Sequence, residues 1–379
     1  MKLKTAGESH GKALVAIIEG LPAHLKVDLE KINEKLALRQ SGFGRGGRQK
    51  IEKDRAEILT GVRNGETLGS PVTLCIYNKD YANWADSMAD GACDESAMQK
   101  KALTKVRPGH ADLTGVLKYA QTDARNVLER ASARETAIRV AAGGVYIQYL
   151  SSLGVEIGGY VKEVCGIKDE GEYSFEQLQK AKTTPVGMID ELAEKQAEEK
   201  IAGLKKAGDT AGGIVEVRVK GLKRGFGSVM TYDEKLDARL AQALMSIQAV
   251  KGVEVGVGFA VAHTSGKEIH DEIFHSETRG FYRNTNRAGG IEGGMSNGEE
   301  IVVRIAMKPI PTLMQGLQTV DYITKEQTTA ASERSDVCAI FALEVIAEAV
   351  VAQVLADAVD KRLGGDTMQE VQERYARLP

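Results

Sequence analysis

This chain of 379 residues has little that would anchor it covalently or hold it to a charged polymer. Its four cysteines, Cys75, Cys93, Cys165 and Cys338, stand far apart with no C-x-x-C spacing, which argues against a disulfide framework and a zinc ribbon. Lysine and arginine number 50 against 53 aspartates and glutamates, a formal net charge of −3. The global basic field that nonspecific nucleic-acid binding requires is therefore lacking, and any positive site must be local. The most apolar run, 339–359, is interrupted by Glu344, Glu348, Gln353 and Asp357; a buried helix is expected there, not a membrane span. The opening MKLKTAGESHG holds no apolar core of signal-peptide length, so a cytoplasmic location is expected. No internal repeat and no low-complexity linker divides the chain. Hydrophobic content of 42% beside 27% charged residues is that of an ordinary globular protein with a large core. Helix and strand patterns do not alternate strictly, so one α+β domain over 1–379 is expected.

The densest chemistry lies in 107–145. Arg107-Pro108-Gly109-His110 presents an imidazole from a loop and runs into a helix that Asp112 is placed to cap. Arg130, Ser132 and Arg134 follow at alternate positions, before an Ala-rich helical run that includes Arg139. The small neighbours Ala131 and Ala133 let a ligand approach the main chain. Guanidinium groups are always charged and bind carboxylate or phosphate bidentately, so a set of them points to a small polyanion. Any one of these arginines could simply pair with Asp123, Glu129 or Glu135 on a helix. Their concentration beside a histidine and a hydroxyl favours a site.

Other segments add to it. Gly7-Glu8-Ser9-His10-Gly11 matches the G-x-S-x-G elbow in letters, but an elbow opens a helix and a strand is expected over 12–19; the better reading is a polar loop presenting Ser9 and His10. A helix is expected over Asp28–Leu38, capped by Asp28. It runs into RQSGFGRGGRQK (39–50), which follows a helix and so lacks the setting of a dinucleotide fingerprint. As an anion clamp carrying Arg39, Arg45, Arg48 and Lys50 it is stronger; a solvated loop or an RNA-binding segment is the alternative. Strands are expected over 153–167, Gly212–Gly221 and Val250–Ala262, and helices over Asp190–Lys206 and Asp233–Ser246. His263, His270 and His275 have suggestive spacing but no further ligands around them, and no metal is expected. A second glycine-rich loop, 287–298, leads to the strand 300–307. The chain leaves that strand rigidly through Lys308-Pro309-Ile310-Pro311-Thr312. Residues 313–333 read as a polar loop suited to a lid, mobile like 41–50 until ligand arrives. Asp336 stands before a long helix, Val337–Leu363, as its natural cap.

Together these motifs resemble the chorismate synthase family: GESHG (7–11), RQSGFGRGGRQKIEKD (39–54), RPGHAD (107–112), RASARETAIRVAAG (130–143), RAGGIEGG (287–294), KPIPT (308–312) and ERSDVC (333–338), in the family's order over nearly the whole chain. Two positions depart from it: Gln248, where many members carry Asn, and Glu129, where some have Gly and little consequence is expected. The resemblance implies a β-α-β sandwich with a central helical layer between antiparallel sheets, assembled as a tetramer. It implies a lyase of the shikimate pathway to the aromatic amino acids, converting 5-enolpyruvylshikimate-3-phosphate to chorismate by anti-1,4-elimination of phosphate. The reaction is redox-neutral yet needs reduced FMN. No reductase module is evident, so NADPH would act only indirectly, through an external flavin reductase. Carried over by motif, His10 would be the general acid toward the phosphate, His110 would protonate or stabilise the reduced flavin, and Asp336, held ionised by Arg334, would take the flavin N5 proton. Ser9, Arg39, Arg45, Arg48, Arg107, Arg134 and Arg334 would bind substrate. Arg130, Ala131, Ser132, Gln248, Ala249, Gly293, Lys308 to Thr312 and Arg334 would line the FMN.

Overall fold

Alternation of apolar and polar residues builds two antiparallel sheets. The computed structural model describes residues 1–47, 51–331 and 335–379. The first sheet contains β1 (Lys2–Ala6), β2 (Ala13–Glu19), β3 (Glu57–Thr60) and β4 (Val72–Tyr77), in the order β1-β2-β4-β3. Leu14, Ala16 and Ile18 of β2 point to one face and are fully buried. The second contains β5 (Glu156–Val164), β6 (Gly213–Lys220), β7 (Val250–Val255) and β8 (Ile301–Met307) in the order β7-β8-β6-β5, with the short strand Ile167–Lys168 beyond β5. On β8 the period of two is complete: Ile301, Val303, Ile305 and Met307 are buried and the residues between them are not.

Helices fill the space between the sheets. The α1 helix (Leu29–Gln40) starts where Asp28 accepts from the main chain of Glu30 and Lys31, as expected. The second, α2 (Thr136–Ser151), packs on β2 and β4; α3 (Leu236–Met245) packs beside β7; α4 (Ile340–Leu363) packs on β5, β6 and β8 and against α2. One hydrophobic cluster joins both sheets and all four helices. The expected β-α-β layering is thus present, and the class is α+β.

The α2–α4 crossing depends on Gly143. A Cβ built there would lie 2.2 Å from Ala349 Cβ, so hydrogen at this position is what lets the two backbones meet. Both helices are apolar nearly all round, as a buried helix must be. The buried charges of α4 are Glu344 and Glu348, which are met by Lys182, while Lys35 reaches Glu348 at 2.5 Å.

Several boundaries differ from the sequence expectations. The strand expected to run to Ala262 ends at Val255, and 258–263 form a 3-10 helix. The polar segment 313–331 contains a hairpin, Gln318–Val320 with Gln327–Thr329. The stretch 41–47 is docked rather than open: Gly44 O accepts from Val337 N at 2.8 Å, and Gly42 and Gly44, both at positive φ, lie against Phe341 and Cys338. Only hydrogen fits at those contacts. The long helix begins at Ile340, with Ala339 at the N-cap position and no side-chain cap, so Asp336 is not its cap.

Candidate active site

The ends of α1, α2, α4 and β8 enclose a cavity of about 450 Å³. Its first wall is the turn between β1 and β2, which places Ser9 and His10. Asn78 Nδ2 pins this turn by donating to Glu8 O and Gly11 O at 3.1 and 2.8 Å. Ser9 is buried, and its N–H donates to Glu129 O at 3.0 Å. The His10 ring stacks on Trp84 with centroids 3.9 Å apart and 22° between planes. Its Nδ1 lies 2.9 and 3.0 Å from the two oxygens of Glu129. Burial raises the Glu129 carboxyl, but the hydrogen bonds and charge of His10 outweigh it, so its pKa lies below the ordinary glutamate value.

His110 lines the same cavity from the loop before the helix Asp112–Tyr119. Its Nδ1 is 2.5 Å from Asp112 Oδ1, and the same carboxylate accepts from Arg107 Nε at 2.8 Å and Nη2 at 3.0 Å. Asp112 was expected to cap the helix Asp112–Tyr119. It occupies the first turn instead, Ala111 being the N-cap, because its carboxylate is turned to Arg107 and His110. Burial alone would raise Asp112; those two partners prevail and hold it well below the usual carboxylate range. Arg107 Nη1 also donates to Thr312 Oγ1 at 3.1 Å, tying this wall to the segment that leaves β8.

The arginines are less free than their density in the sequence suggests. Arg134 Nη1 is 2.6 Å from Asp54, and its Nε and Nη2 donate to Asn78 Oδ1. Arg39, delivered by the last turn of α1, donates from Nε and Nη2 to Thr136 Oγ1 at 3.0 and 2.8 Å. Burial, opposed by Asp54, brings its guanidinium down to about 9, so it remains cationic at neutral pH. Arg45 Nη1 pairs with Asp336 Oδ2 at 2.9 Å, and Gly46 N donates to Asp336 Oδ1 at 2.6 Å. An isolated buried charge costs several kcal/mol, so counter-ions are obligatory. Their placement is what matters. Asp54 and Asp112 stand behind the arginines, and the lining presents Arg39, Arg45, Arg107, Arg134 and Lys308 against Glu52 and Asp336. The surface facing the ligand is therefore net positive.

Two buried polar atoms in this lining, Arg45 Nε and Gln248 Oε1, find no hydrogen-bond partner among the described residues. An uncompensated donor and acceptor on a basic cavity are what a polar, anionic guest would satisfy. A family model described as chorismate synthase matches residues 1–359. The chain belongs to the chorismate synthase family. It is 53% identical over 386 residues to the chorismate synthase of Geobacter sulfurreducens, covering 99% of this chain and 97% of that one. The chorismate synthase of Thermus thermophilus is 53% identical over 377 residues, covering 100% and 98%. A crystal structure of a chorismate synthase superimposes with a TM-score of 0.79 at 39% identity, over 99% of this chain and 96% of its own. As a member of the chorismate synthase family the chain is a lyase.

Most positions carried over from the chorismate synthase motifs meet here. Ser9, His10, Arg39, Arg45, Arg107, His110, Arg134 and Asp336 line the cavity, as do Ala131, Ser132, Gln248, Ala249, Lys308, Ile310, Pro311 and Thr312. Burial lowers the Lys308 pKa, with Lys251 adding to the effect. Three positions lie off the lining. Arg130 is exposed and donates to Gly7 O, Thr5 O and Thr5 Oγ1, over a separate shallow pocket shared with Arg139 and Gln248. Pro309 is exposed and packs beside Gly212. Gly293 turns the hairpin of Ile291–Glu292 with Met295–Ser296, where Val229 is its neighbour. Arg48 and Arg334 fall outside the described residues; among the described ones, Arg45 is an arginine paired with Asp336. His263, His270 and His275 are exposed. Sequence reasoning assigned no role to Asn78, Trp84 or Asp54, and considered Glu129 only as a pairing partner for an arginine. Only Trp84, the single tryptophan, carried a signal, since a lone large aromatic among polar residues calls for a packing partner.

Proposed function

We propose that this chain converts 5-enolpyruvylshikimate-3-phosphate to chorismate, with reduced FMN as cofactor, and that residues 1–379 act as one catalytic domain. The observation that carries this reading is that His10, His110 and Asp336, far apart in sequence, line one cavity ringed by arginines. Substrate and flavin are both anionic. Like charges near 4 Å repel by about 4 kcal/mol at an effective dielectric near 20, so the cations of the lining are what allow the two to share the site. Arg39, Arg45, Arg107 and Arg134 bind the carboxylates and phosphate of the substrate together with Ser9. Ala131, Ser132, Gln248, Ala249 and the 308–312 segment hold the flavin, for which Gln248 Oε1 is an unused acceptor. Reduced flavin, when bound, lends electron density to the substrate and recovers it. His10 donates a proton from Nε2 to the departing phosphate. His110 would protonate or stabilise the reduced flavin ring. Asp336, which accepts from Arg45 and Gly46, is the carboxylate that takes the flavin N5 proton.

The same reading makes the protein a cytoplasmic homotetramer whose flavin is reduced by a separate NADPH-dependent reductase, with no membrane or nucleic-acid partner. No helix among the described residues is long and apolar enough to cross a membrane. The test is anaerobic incubation with dithionite-reduced FMN and 5-enolpyruvylshikimate-3-phosphate. Release of phosphate with chorismate formation is expected; absence of release with reduced flavin present overturns the proposal.

A further inference from the structure

We infer that Glu129 is a positioning residue for His10, fixing which nitrogen of the ring faces the substrate. This rests on the acid role proposed for His10. Three contacts converge on the Glu129 carboxylate from the β1–β2 turn: His10 N donates to Oε2 at 2.7 Å, and His10 Nδ1 sits 2.9 and 3.0 Å from the two oxygens. A fourth joins the main chains, Ser9 N to Glu129 O. The carboxylate is buried, and Arg125 Nη1 approaches it at 3.3 Å from one helical turn earlier. A carboxylate whose pKa lies below its ordinary value has no proton to donate. Nδ1 must therefore carry the hydrogen, and Nε2 is left as the nitrogen that gains and loses the catalytic proton.

The ring is held on its face as well. Trp84 stacks on it, Lys101 Nζ lies 3.4 Å from the Trp84 ring and Arg125 Cζ 5.0 Å, and Trp84 Nε1 donates to Asp80 Oδ2 at 3.2 Å. Asp80 Oδ2 is 4.0 Å from His10 Nε2. The imidazole thus has Nδ1 on a carboxylate and one face on an indole, in a side chain that lines the cavity. A merely structural histidine would not need its tautomer defined this tightly.

Glutamine at 129 would keep the shape but offer one acceptor oxygen where two donors, His10 N and Nδ1, require one. If its amide NH₂ meets Nδ1, the neutral ring moves its proton to Nε2 and loses the defined reacting nitrogen. Glu129→Gln should therefore lower kcat by about 10²-fold, inside the range of roughly 10²–10⁴ for a positioned acid–base group, with KM within about threefold. The structural readout is the ¹⁵N spectrum of histidine-labelled protein, with His10 assigned by its loss in His10→Ala. The neutral parent ring should carry its proton on Nδ1, and the variant should shift toward Nε2–H. Parental kcat in Glu129→Gln, or a parent ring protonated on Nε2 alone, overturns the inference. The spectrum of the parent decides it even if the variant does not fold. Full turnover in His10→Ala would instead remove the acid role of His10, leaving the tautomer measurement to judge Glu129 separately.

Discussion

His10 and His110 are held alike, each through Nδ1 by a buried carboxylate, Glu129 or Asp112, with an arginine bonded to that carboxylate. Such a support defines the tautomer and orients the ring before substrate arrives, which is where positioned acid–base groups gain their effect. His10→Ala and His110→Ala should each lower kcat by roughly 10²–10⁴. Steady-state rates with reduced FMN would measure this, and full activity in both variants would refute the assignments. Asp336 shows how residue-scale reading can mislead. A carboxylate just before a long helix is by default its cap, yet here the helix starts four residues later and Asp336 accepts from Arg45 and Gly46. Local propensity has no means of weighing a partner some 290 positions away.

Individual elements were the most legible part of the chain. The α1 cap at Asp28, the strand 213–220 and the central helix emerge from periodicity and capping chemistry, because those forces act within a few residues. Helix boundaries were less legible where tertiary contacts intervene. The docked segment 41–47 reads as a loose glycine loop, yet its glycines are required by contact with α4. The α2–α4 crossing makes the same point and is testable. Gly143→Ala puts a methyl 2.2 Å from Ala349 Cβ, an overpacking that should destabilise by about 1–3 kcal/mol. A fall in the urea midpoint is expected; an unchanged midpoint would mean that the helices separate without cost.

At the scale of the whole molecule, an ion cluster bridges α1, α4 and the segment 176–183. Lys182 contacts both Glu344 and Glu348, and Lys35 adds to Glu348. Burial, then the neighbouring Glu348 charge, pushes Glu344 up to about 8, and its Oε2 has no partner among the described residues. A carboxyl whose folded pKa lies above its unfolded value leaves stability intact below about 4.5, the ordinary glutamate value, and diminishes it as pH rises toward about 8. Glu344→Gln, which mimics the protonated side chain, should match the parent in urea at low pH and exceed it near pH 8. Equal midpoints at both pH values would show that burial leaves the Glu344 pKa at its unfolded value.

Sequence by itself determined the class of the protein: the motif order, the helix and strand periods, and the residue types able to bind anions and move protons. These are local or additive properties and need no coordinates. Tertiary structure decided which carboxylate neutralises which arginine, that His10, His110 and Asp336 share a cavity, and that Arg130, Pro309 and Gly293 lie off its lining. Pairings of this kind join distant segments through packing and Coulombic geometry, and no spacing along the chain encodes them.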